Sequence, residues 1–343
     1  MNEIKILKDL VKFNTIEDKE NKEILDYIQR YLENLGFKLE KREKYLIMSY
    51  GQNCNIGFIG HSDTVEFIDG WNTNPHELTQ IGDMLYGLGS CDMKGGIAAF
   101  LQALAELDFK KIKQGIKVYI TYDEEIGFTG IKDIVYLNEK MPKYLIIGEP
   151  TDNKIMTGCK GLFAVKIFTS GIKVHSSTPH KGKSANTSMI KLLTELEEFY
   201  NSNIKNKLNE KYQVPYTTMN IGLLNGGSAI NSVAAECMSY VDFRIIDNEH
   251  IEILKEKLQE LCEKYDAKFV VDIEVKSFYN DIEFLDKTYT AGFMTEASFI
   301  EGKRMILGPG PMTAHEVNEH VSIASLRESV NLYKSLINKA CNE

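Results

Sequence analysis

Four short apolar runs in this 343-residue sequence are each followed by side chains that can bind a metal or move a proton. The runs have the pattern of buried strands and cover residues 56–59, 118–122, 144–147 and 305–307. The side chains that follow them are His61 and Asp63, Glu124 and Glu125, Glu149, and, after a Gly-Pro-Gly turn, His315. Because sites in open α/β sheets form beyond the carboxyl ends of the strands, we expect these side chains to converge.

His61 and Asp63 stand two positions apart. At this spacing the second residue can fix the ring orientation and the basicity of a metal-bound histidine. The pair alone is also compatible with an ordinary polar histidine at the end of a strand.

Asp92 lies in a glycine-dense segment, residues 87–96, directly before a helical pattern over residues 95–107. A loop that cradles phosphate is the rival interpretation of such a segment. No Gly-Lys-Ser/Thr follows, however, and an aspartate at the centre would repel phosphate. A metal-bridging aspartate therefore fits this segment better.

The acidic triplet Asp123-Glu124-Glu125 offers one carboxylate for a metal and a neighbour that is free to handle a proton. A solvated acidic turn is the simple alternative. Because the triplet ends a buried apolar run and precedes Ile126-Gly127, we favour the functional interpretation.

Composition excludes several classes of function. A net charge of -9 without any stripe of Lys or Arg argues against binding along nucleic acid. The N-terminus lacks the pattern of a signal peptide and no apolar run is long enough to span a bilayer, so we expect a cytoplasmic protein without membrane association. Six scattered cysteines without a C-x-x-C pair predict neither a disulfide framework nor a thiolate zinc site.

The chain exceeds the usual size of one core, and its texture changes along the sequence. Helical spacing dominates residues 3–36 and predicts two helices. Farther along, strand-like stretches at 162–168 and 237–245 alternate with amphipathic helical patterns at 189–200 and 250–265. We therefore predict a catalytic metal-binding domain from residues 1–160 and 286–343, with residues 161–285 as an inserted domain.

Six segments occur in the order seen in the M20 metallopeptidase family, which the chain resembles from residue 61 to residue 320. They are His61-x-Asp63, Gly89-Ser90-Cys91-Asp92-Met93-Lys94-Gly95-Gly96, Asp123-Glu124-Glu125, Gly148-Glu149-Pro150-Thr151, His175-Ser176-Ser177 and Ala314-His315. The family includes acetylornithine deacetylase, succinyl-diaminopimelate desuccinylase, glutamate-releasing carboxypeptidases and di- or tripeptidases. The resemblance implies an α/β, zinc-exopeptidase-like catalytic domain, with a mixed sheet flanked by helices, and an inserted α+β lid and dimerisation domain.

The resemblance also implies the roles of the metal-site residues. Asp92 would bridge two metals, and each metal would take one further carboxylate and one histidine. These pairs are Glu125 with His315 and Glu149 with His61, while Asp63 would orient His61 and Glu124 would be the general base. Nitrogen and oxygen ligands suit two Zn²⁺ ions, with Co²⁺ or Mn²⁺ as substitutes.

On the substrate side, His175 resembles a family histidine that donates to the developing oxyanion, usually from the other subunit of a homodimer. Arg244 resembles a clamp for the substrate carboxylate, although an ordinary pair with Asp242 is a competing interpretation. Asn231 matches a family position that contacts substrate. The chain departs from the family pattern around Ser232-Val233-Ala234 and at Thr295-Glu296, so the substrate-side assignments are weaker than the metal set.

These features predict a di-zinc metallohydrolase that cleaves an amide bond in a small substrate with a free carboxylate. An N-acyl-amino-acid deacylase of the acetylornithine or acetyl-lysine deacetylase type is the first choice. An M20 di- or tripeptidase or carboxypeptidase, acting on short peptides, is the alternative, and a non-catalytic binding protein of the same fold is a distant third. We expect His250 to be solvated and His320 to be structural or peripheral.

Overall fold

The computed structural model describes residues 2–16, 21–138, 140–311 and 313–342. The chain divides into two compact units. Unit 1 contains residues 1–157, 280–289 and 295–343, and unit 2 contains residues 158–279 and 290–294. The bounds of unit 2 differ from those of the insert expected over residues 161–285. Unit 2 begins at residue 158, residues 280–289 belong to unit 1, and residues 290–294 belong to unit 2.

The described residues form seven α-helices and sixteen strands. The helices are α1 (Glu3–Val11), α2 (Lys22–Asn34), α3 (Lys94–Ala105), α4 (Thr129–Tyr136), α5 (Ala185–Phe199), α6 (Glu249–Tyr265) and α7 (Ile323–Asn342). The strands are β1 (Lys38–Arg42), β2 (Leu46–Tyr50), β3 (Ile56–His61), β4 (Thr79–Ile81), β5 (Met84–Tyr86), β6 (Ile116–Thr121), β7 (Tyr144–Ile147), β8 (Met156–Cys159), β9 (Gly161–Ser170), β10 (Thr218–Gly226), β11 (Glu236–Ile245), β12 (Ala267–Val275), β13 (Phe278–Tyr279), β14 (Tyr289–Ala291), β15 (Lys303–Ile306) and β16 (His320–Ser322).

The main sheet of unit 1 has a parallel centre. Its strands follow the order β1-β2-β6-β3-β7-β15, in which β3 runs parallel to β6 and β7, and β7 runs parallel to β15. Strands β1 and β2 extend the sheet in antiparallel pairing, so the sheet is mixed. The four parallel strands are the four apolar runs of the sequence, and their prediction is confirmed.

Helices α1, α3 and α7 pack together in unit 1, and α3 and α7 both contact β3. The rings of Phe58 and Phe100 stack with centroids 4.0 Å apart, and Tyr333 meets both rings edge-on. Gly96 lets the start of α3 approach the backbone that follows β7, because a Cβ at residue 96 would lie 2.0 Å from the carbonyl oxygen of Gly148. This contact fixes the start of α3 beside the end of β7.

A small antiparallel sheet in unit 1 has the order β16-β5-β4. His320 pairs with Tyr86 and Val321 with Leu85, so β16 lies directly alongside β5. The segment that precedes β16 therefore lies next to the segment that follows β5. These two segments carry His315 and Asp92, respectively.

Unit 2 is built on an antiparallel sheet with the order β10-β11-β9-β12 and on helices α5 and α6. Alternate residues of β11 are buried, and the apolar ones, among them Val241 and Phe243, join Phe163 of β9 and residues of both helices in one core. The strands and amphipathic helices predicted in this region are confirmed. By contrast, β10 is a largely exposed edge strand.

Among the described residues, none of the helices is long and apolar enough to cross a membrane.

Candidate metal centre

The carboxyl ends of the four parallel strands carry most of the candidate ligands in unit 1. Strand β3 ends at His61, and β7 ends two residues before Glu149. Strand β6 ends three residues before Glu124, and the intervening Asp123 has a left-handed φ of 63°. His315 has the same φ and follows β15 after a longer segment. Such uncommon backbone conformations often occur at functional sites, where they direct side chains into the site.

Asp92 points one carboxylate oxygen toward each histidine. Oδ1 of Asp92 lies 3.1 Å from Nε2 of His61, and Oδ2 lies 3.8 Å from Nε2 of His315. Oε2 of Glu149 is 3.9 Å from Nε2 of His61. Oε2 of Glu125 is 2.9 Å from Nε2 of His315. Two ligand groups, each with a histidine and its own glutamate, thus share the carboxylate of Asp92.

Each of these two groups is compact enough to hold one ion. The ligand atoms of His61, Asp92 and Glu149 all lie within 4.8 Å of one another, and so do those of Asp92, Glu125 and His315. His61 and Glu149 are buried, whereas the side chain of His315 is 56% exposed. The centre therefore has a deep side and a side open to solvent.

Three residues in or beside this centre, His61, Glu149 and Glu124, have strongly raised pKa values. Burial by itself lowers the pKa of His61, but Asp63, Asp92 and Glu149 outweigh it and raise the pKa well above the usual range. Burial, together with the charge of Asp92, raises the pKa of Glu149 well above its usual range. Burial and neighbouring carboxylates do the same to Glu124. Several buried carboxylates thus repel one another.

Divalent cations fit this arrangement. Oε1 of Glu149 is buried and has no hydrogen-bond partner among the described residues, which is costly for a carboxylate unless a cation is nearby. Two divalent cations, three ligand carboxylates and a hydroxide would leave the cluster close to neutral. Three carboxylates and two imidazoles also form a donor set typical of catalytic zinc and related metals.

Asp63 lies beside His61, but its nearest contact with the ring is made by the backbone. The carbonyl oxygen of Asp63 is 3.0 Å from Nδ1 of His61, while Oδ1 is 3.6 Å away. Donation from Nδ1 to this carbonyl leaves Nε2 available as a ligand. The carboxylate of Asp63 accepts a hydrogen bond from the N–H of Glu125 at 3.3 Å.

Glu124 lies next to both ligand groups. A third group of possible ligand atoms contains a carboxylate oxygen of Glu124, a ring nitrogen of His61 and a carboxylate oxygen of Glu125. These three atoms lie within 4.8 Å of one another. This set lacks Asp92, which the other two share. The structure thus places the carboxylate of Glu124 beside a histidine of one ligand group and a glutamate of the other.

His175 is exposed in unit 2, and its hydrogen bonds define which ring nitrogen is free to donate. The N–H of Ser177 donates to Nδ1 of His175 at 3.2 Å, and Oγ of Ser177 is 2.8 Å from the same nitrogen. Nδ1 is therefore an acceptor. In the neutral ring the proton lies on Nε2, which can donate to a ligand.

Arg244 lines a cleft of about 140 Å³ in unit 2, together with Lys160, Tyr212 and Thr290. Nε of Arg244 donates to Oδ1 of Asp242 at 3.2 Å, so the competing Arg–Asp pair does form. Lys160 is buried and donates to the carbonyl oxygen of Tyr216 at 2.7 Å. Burial and the charge of Arg244 lower the pKa of Lys160 to about 8.

Asn231, the remaining sequence candidate, is exposed in the same unit. Its carbonyl oxygen accepts a hydrogen bond from the N–H of Ser176 at 2.9 Å. This bond links the segment around Asn231 to the segment that carries His175. The side chain of Asn231 makes no hydrogen bond to the described residues.

Glu319 was not identified from the sequence as a site residue, although its carboxylate binds the backbone of the segment that carries Asp92. It accepts N–H groups of Gly89, Cys91 and Asp92 at 2.8, 2.7 and 2.9 Å. Burial raises the pKa of Glu319 to about 7, although these three donors act to lower it. Its partners lie more than two hundred positions away in the sequence, so no local pattern could have revealed them.

Glu296 is a second residue that sequence reasoning missed as part of the centre. Its side chain is fully buried, and burial raises its pKa to about 7, although the charge of His61 acts to lower it. The sequence registered Glu296 only as a departure from the family pattern. The only feature of Glu296 visible in the sequence is that it follows Thr295, and this position does not indicate that its side chain is buried.

The expectation that His250 is solvated is wrong. His250 is 1% exposed, and its Nδ1 lies 2.8 Å from Oγ1 of Thr217. Oγ1 of Thr217 also accepts the N–H of Ile246 at 3.1 Å, so this hydroxyl links the buried histidine to the backbone. Periodicity placed His250 at the start of a helix, but the partner that allows its burial comes from another element.

All six cysteines are free.

Curated relatives match almost the whole chain. Acetylornithine deacetylase from Buchnera aphidicola is 29% identical, with 98% of this chain and 98% of that protein covered. Acetylornithine deacetylase from Pasteurella multocida is 30% identical, with 94% of this chain and 92% of that protein covered.

Solved structures share the fold. Aminopeptidase PepT from Bacillus cereus superposes with a TM-score of 0.82 at 20% identity and covers 99% of this chain and 98% of its own. A Bacillus subtilis protein described as a dinuclear metal-binding peptidase of the M20 family gives 0.75 at 13% identity, with 99% and 98% covered. The predicted fold class is confirmed by these neighbours.

The family model gives the same result for the sequence itself. The model described as Peptidase family M20/M25/M40 matches residues 57–339, a range that contains every candidate ligand of the centre. The chain therefore belongs to peptidase family M20/M25/M40 and is a metal-dependent hydrolase.

Proposed function

We propose that this chain is a di-zinc N-acyl-amino-acid deacylase of the acetylornithine or acetyl-lysine deacetylase type. The observation that carries the proposal is the carboxylate of Asp92, which faces one histidine-containing ligand group with each oxygen. The near full-length similarity to proteins named acetylornithine deacetylase supports the substrate class. Zinc is the favoured metal because all the ligands are nitrogen or oxygen, and cobalt or manganese would be substitutes.

In this proposal His61, Asp92 and Glu149 hold one ion, and Asp92, Glu125 and His315 hold the other. When bound, the two ions supply Lewis acidity that polarises an amide carbonyl and acidifies a water molecule. Glu124 accepts a proton from the attacking water and passes it to the leaving amine. Asp63 keeps His61 in the tautomer that presents Nε2.

The cleft around Arg244 is proposed to bind the free carboxylate of the substrate. Arg244 offers a planar guanidinium that can hold a carboxylate with two hydrogen bonds. Lys160 adds a second cation in the same cleft. Two neighbouring cations repel each other, and an anion between them would relieve that repulsion. Asn231 is proposed as a further contact to the substrate.

His175 is proposed to stabilise the oxyanion through Nε2–H, from the second subunit of a homodimer. The free donor at Nε2 supports this role. The edge strand β10 supports dimerisation, since it exposes Ile221, Leu223 and Leu224 and has a partner strand on only one side among the described residues. Two copies of an edge strand can pair about a two-fold axis.

The cytoplasmic location stays a prediction.

A di- or tripeptidase remains the second candidate, because it would also cleave an amide in a small substrate with a free carboxylate. The solved structures of similar fold include an aminopeptidase, but their identity to this chain is low.

A hydrolysis panel on metal-reconstituted protein tests the proposal. The substrates are N-acetylornithine, N-acetyl-lysine, N-succinyl-diaminopimelate, dipeptides and tripeptides. We expect the acetylated amino acids to give the highest kcat/KM, and turnover of peptides alone would overturn the proposal in favour of a peptidase.

Glu124→Gln should bind both ions and lose about 10²–10⁴-fold in kcat. Exposed Glu43→Gln is the matched control and should keep wild-type turnover.

A further inference from the structure

We propose that Glu319 is a positioning residue that sets the bridging carboxylate of Asp92 by fixing the loop of residues 87–93, called the Asp92 loop. This inference rests on the proposed function, in which Asp92 joins two metal sites. The side chain of Glu319 is 2% exposed. Both of its carboxylate oxygens are directed to backbone N–H groups of the Asp92 loop.

The contacts cover the loop from beginning to end. The carbonyl oxygen of Glu319 accepts the N–H of Gly87 at 3.1 Å, and Oε2 accepts that of Gly89 at 2.8 Å. Oε1 accepts the N–H groups of Cys91 and Asp92 at 2.7 and 2.9 Å. One residue therefore binds the loop at four positions, the last of which is the bridging ligand itself.

The Asp92 loop has little regular structure of its own to hold it. It consists of turns between β5 and α3, and Gly89 within it has a left-handed φ of 75°. Within the loop itself, the N–H of Ser90 bonds to the carbonyl oxygen of Gly87. Without the carboxylate of Glu319, three N–H groups in this buried region would lack their partner, and the loop would rearrange to find others.

Glu319 also relates Asp92 to the ligand on the opposite side of the centre. His315 lies four residues before Glu319, and both precede β16, whose His320 pairs with Tyr86 at the end of β5. Sγ of Cys91 lies 2.7 Å from the carbonyl oxygen of Pro311, a further link between the two segments. The segment that carries His315 therefore binds directly to the Asp92 loop.

The geometry of Asp92 requires such control. Its two oxygens must face His61 and His315 at the same time, and the distances of 3.1 and 3.8 Å leave little freedom for rotation or translation. A shift of the Asp92 backbone would improve one ligand group at the expense of the other. We therefore expect loss of the Glu319 contacts to weaken both metal sites together.

Titration of metal-free Glu319→Gln with Zn²⁺ by calorimetry, and with Co²⁺ by visible absorption, tests this role. The amide side chain keeps the volume but replaces one acceptor oxygen by a donor. We expect the affinity for both ions to fall about 10–100-fold, as for other residues that orient ligands, and the Co²⁺ spectrum to change. We expect kcat to fall while KM for substrate changes little.

Glu3→Gln is the matched control. Glu3 is also a buried glutamate of unit 1, and it accepts a hydrogen bond from Nε of Arg327 at 3.0 Å, away from the Asp92 loop. Its substitution should lower thermal stability without changing the affinity for metal or the Co²⁺ spectrum. Wild-type metal affinity in Glu319→Gln, or an equal loss in Glu3→Gln, would overturn the inference.

Hydrogen exchange on the wild-type, metal-free protein tests the same contacts without any variant. The amides of Gly89, Cys91 and Asp92 should be protected, and rapid exchange at these three positions would contradict the inference even if Glu319→Gln fails to fold. A wild-type protein that binds fewer than two ions per chain would instead count against the proposed function.

Discussion

Lys160 is a cation in surroundings that disfavour its own charge. Burial and the nearby Arg244 lower its pKa to about 8, from the ordinary lysine value of 10.5. The hydrogen bond to Tyr216 orients the ammonium group but cannot neutralise it. A substrate carboxylate in the cleft would supply the missing negative charge, so binding of the anion and protonation of Lys160 should reinforce each other.

This coupling predicts how substrate affinity depends on pH. Below about pH 8 Lys160 is charged and attracts the carboxylate, and above that pH it becomes neutral. KM should therefore rise between pH 7 and pH 9.5. Lys160→Met should raise KM about tenfold at pH 7, the equivalent of one lost charged hydrogen bond, and should remove the rise with pH. Steady-state kinetics across this range measure both effects.

Lys191→Met provides the control for this prediction. Lys191 is exposed on α5 in the same unit, so its loss should leave KM and its pH dependence unchanged. A Lys160→Met variant with wild-type KM at pH 7 would show that the cleft does not bind the substrate carboxylate.

The ligand residues were accessible from the sequence because each stands in a short local pattern, such as His61 and Asp63 or the glycines around Asp92. Lys160, Glu296 and Glu319 were not, since the feature that distinguishes them is burial of a charged group against distant chain segments. Such contacts leave no periodicity and no fixed spacing. The sequence also could not tell which part of Asp63 would face His61.

At the scale of elements, the parallel strands β6, β3, β7 and β15 place their following residues at one edge of the sheet. Their apolar character predicted this arrangement, because buried parallel strands read as continuous hydrophobic runs. Strands β4, β5 and β16 carry no comparable signal, since each is three residues long and mostly exposed or half-buried. The sheet that holds Glu319 beside the Asp92 loop was therefore not predictable.

Helix α3 is positioned by a glycine rather than by a side chain. A Cβ at residue 96 would lie 2.0 Å from the carbonyl oxygen of Gly148, which is backbone and cannot rotate away. Gly96→Ala should therefore lower the free energy of unfolding by about 1–3 kcal/mol, as overpacking in a core does. Urea unfolding of the metal-free protein measures the change.

Gly292→Ala is the comparison for this variant, because a Cβ there meets no atom within 4 Å. Its free energy of unfolding should stay within about 1 kcal/mol of the wild type. Equal stability of Gly96→Ala and the wild type would mean that α3 moves away from β7 without cost.

At the scale of the whole molecule, the proposal that His175 acts from the second subunit of a homodimer can be tested by mixing two inactive variants. Neither His175→Ala nor Glu124→Gln homodimers should be active. If His175 acts across the dimer, a mixture of the two variants contains heterodimers with one intact site. Equal mixing by dissociation and reassociation should then restore about a quarter of wild-type kcat, because half of the dimers are mixed and each has one working site.

The comparison sample is a mixture of the two variants that has not been allowed to exchange subunits, and it should remain inactive. Native mass spectrometry verifies the heterodimers. Heterodimers without recovered activity would show that His175 acts on its own chain or is dispensable for the reaction.

The division of the chain has a consequence for the order in which the protein is made. Most of unit 2 is one continuous stretch, residues 158–279, and it is synthesised before β15, His315 and α7. Domains usually fold as units once their residues have left the ribosome. The inserted unit can therefore fold while the catalytic unit still lacks the strand and helix that complete its core, and the metal centre gains its last histidine late in translation.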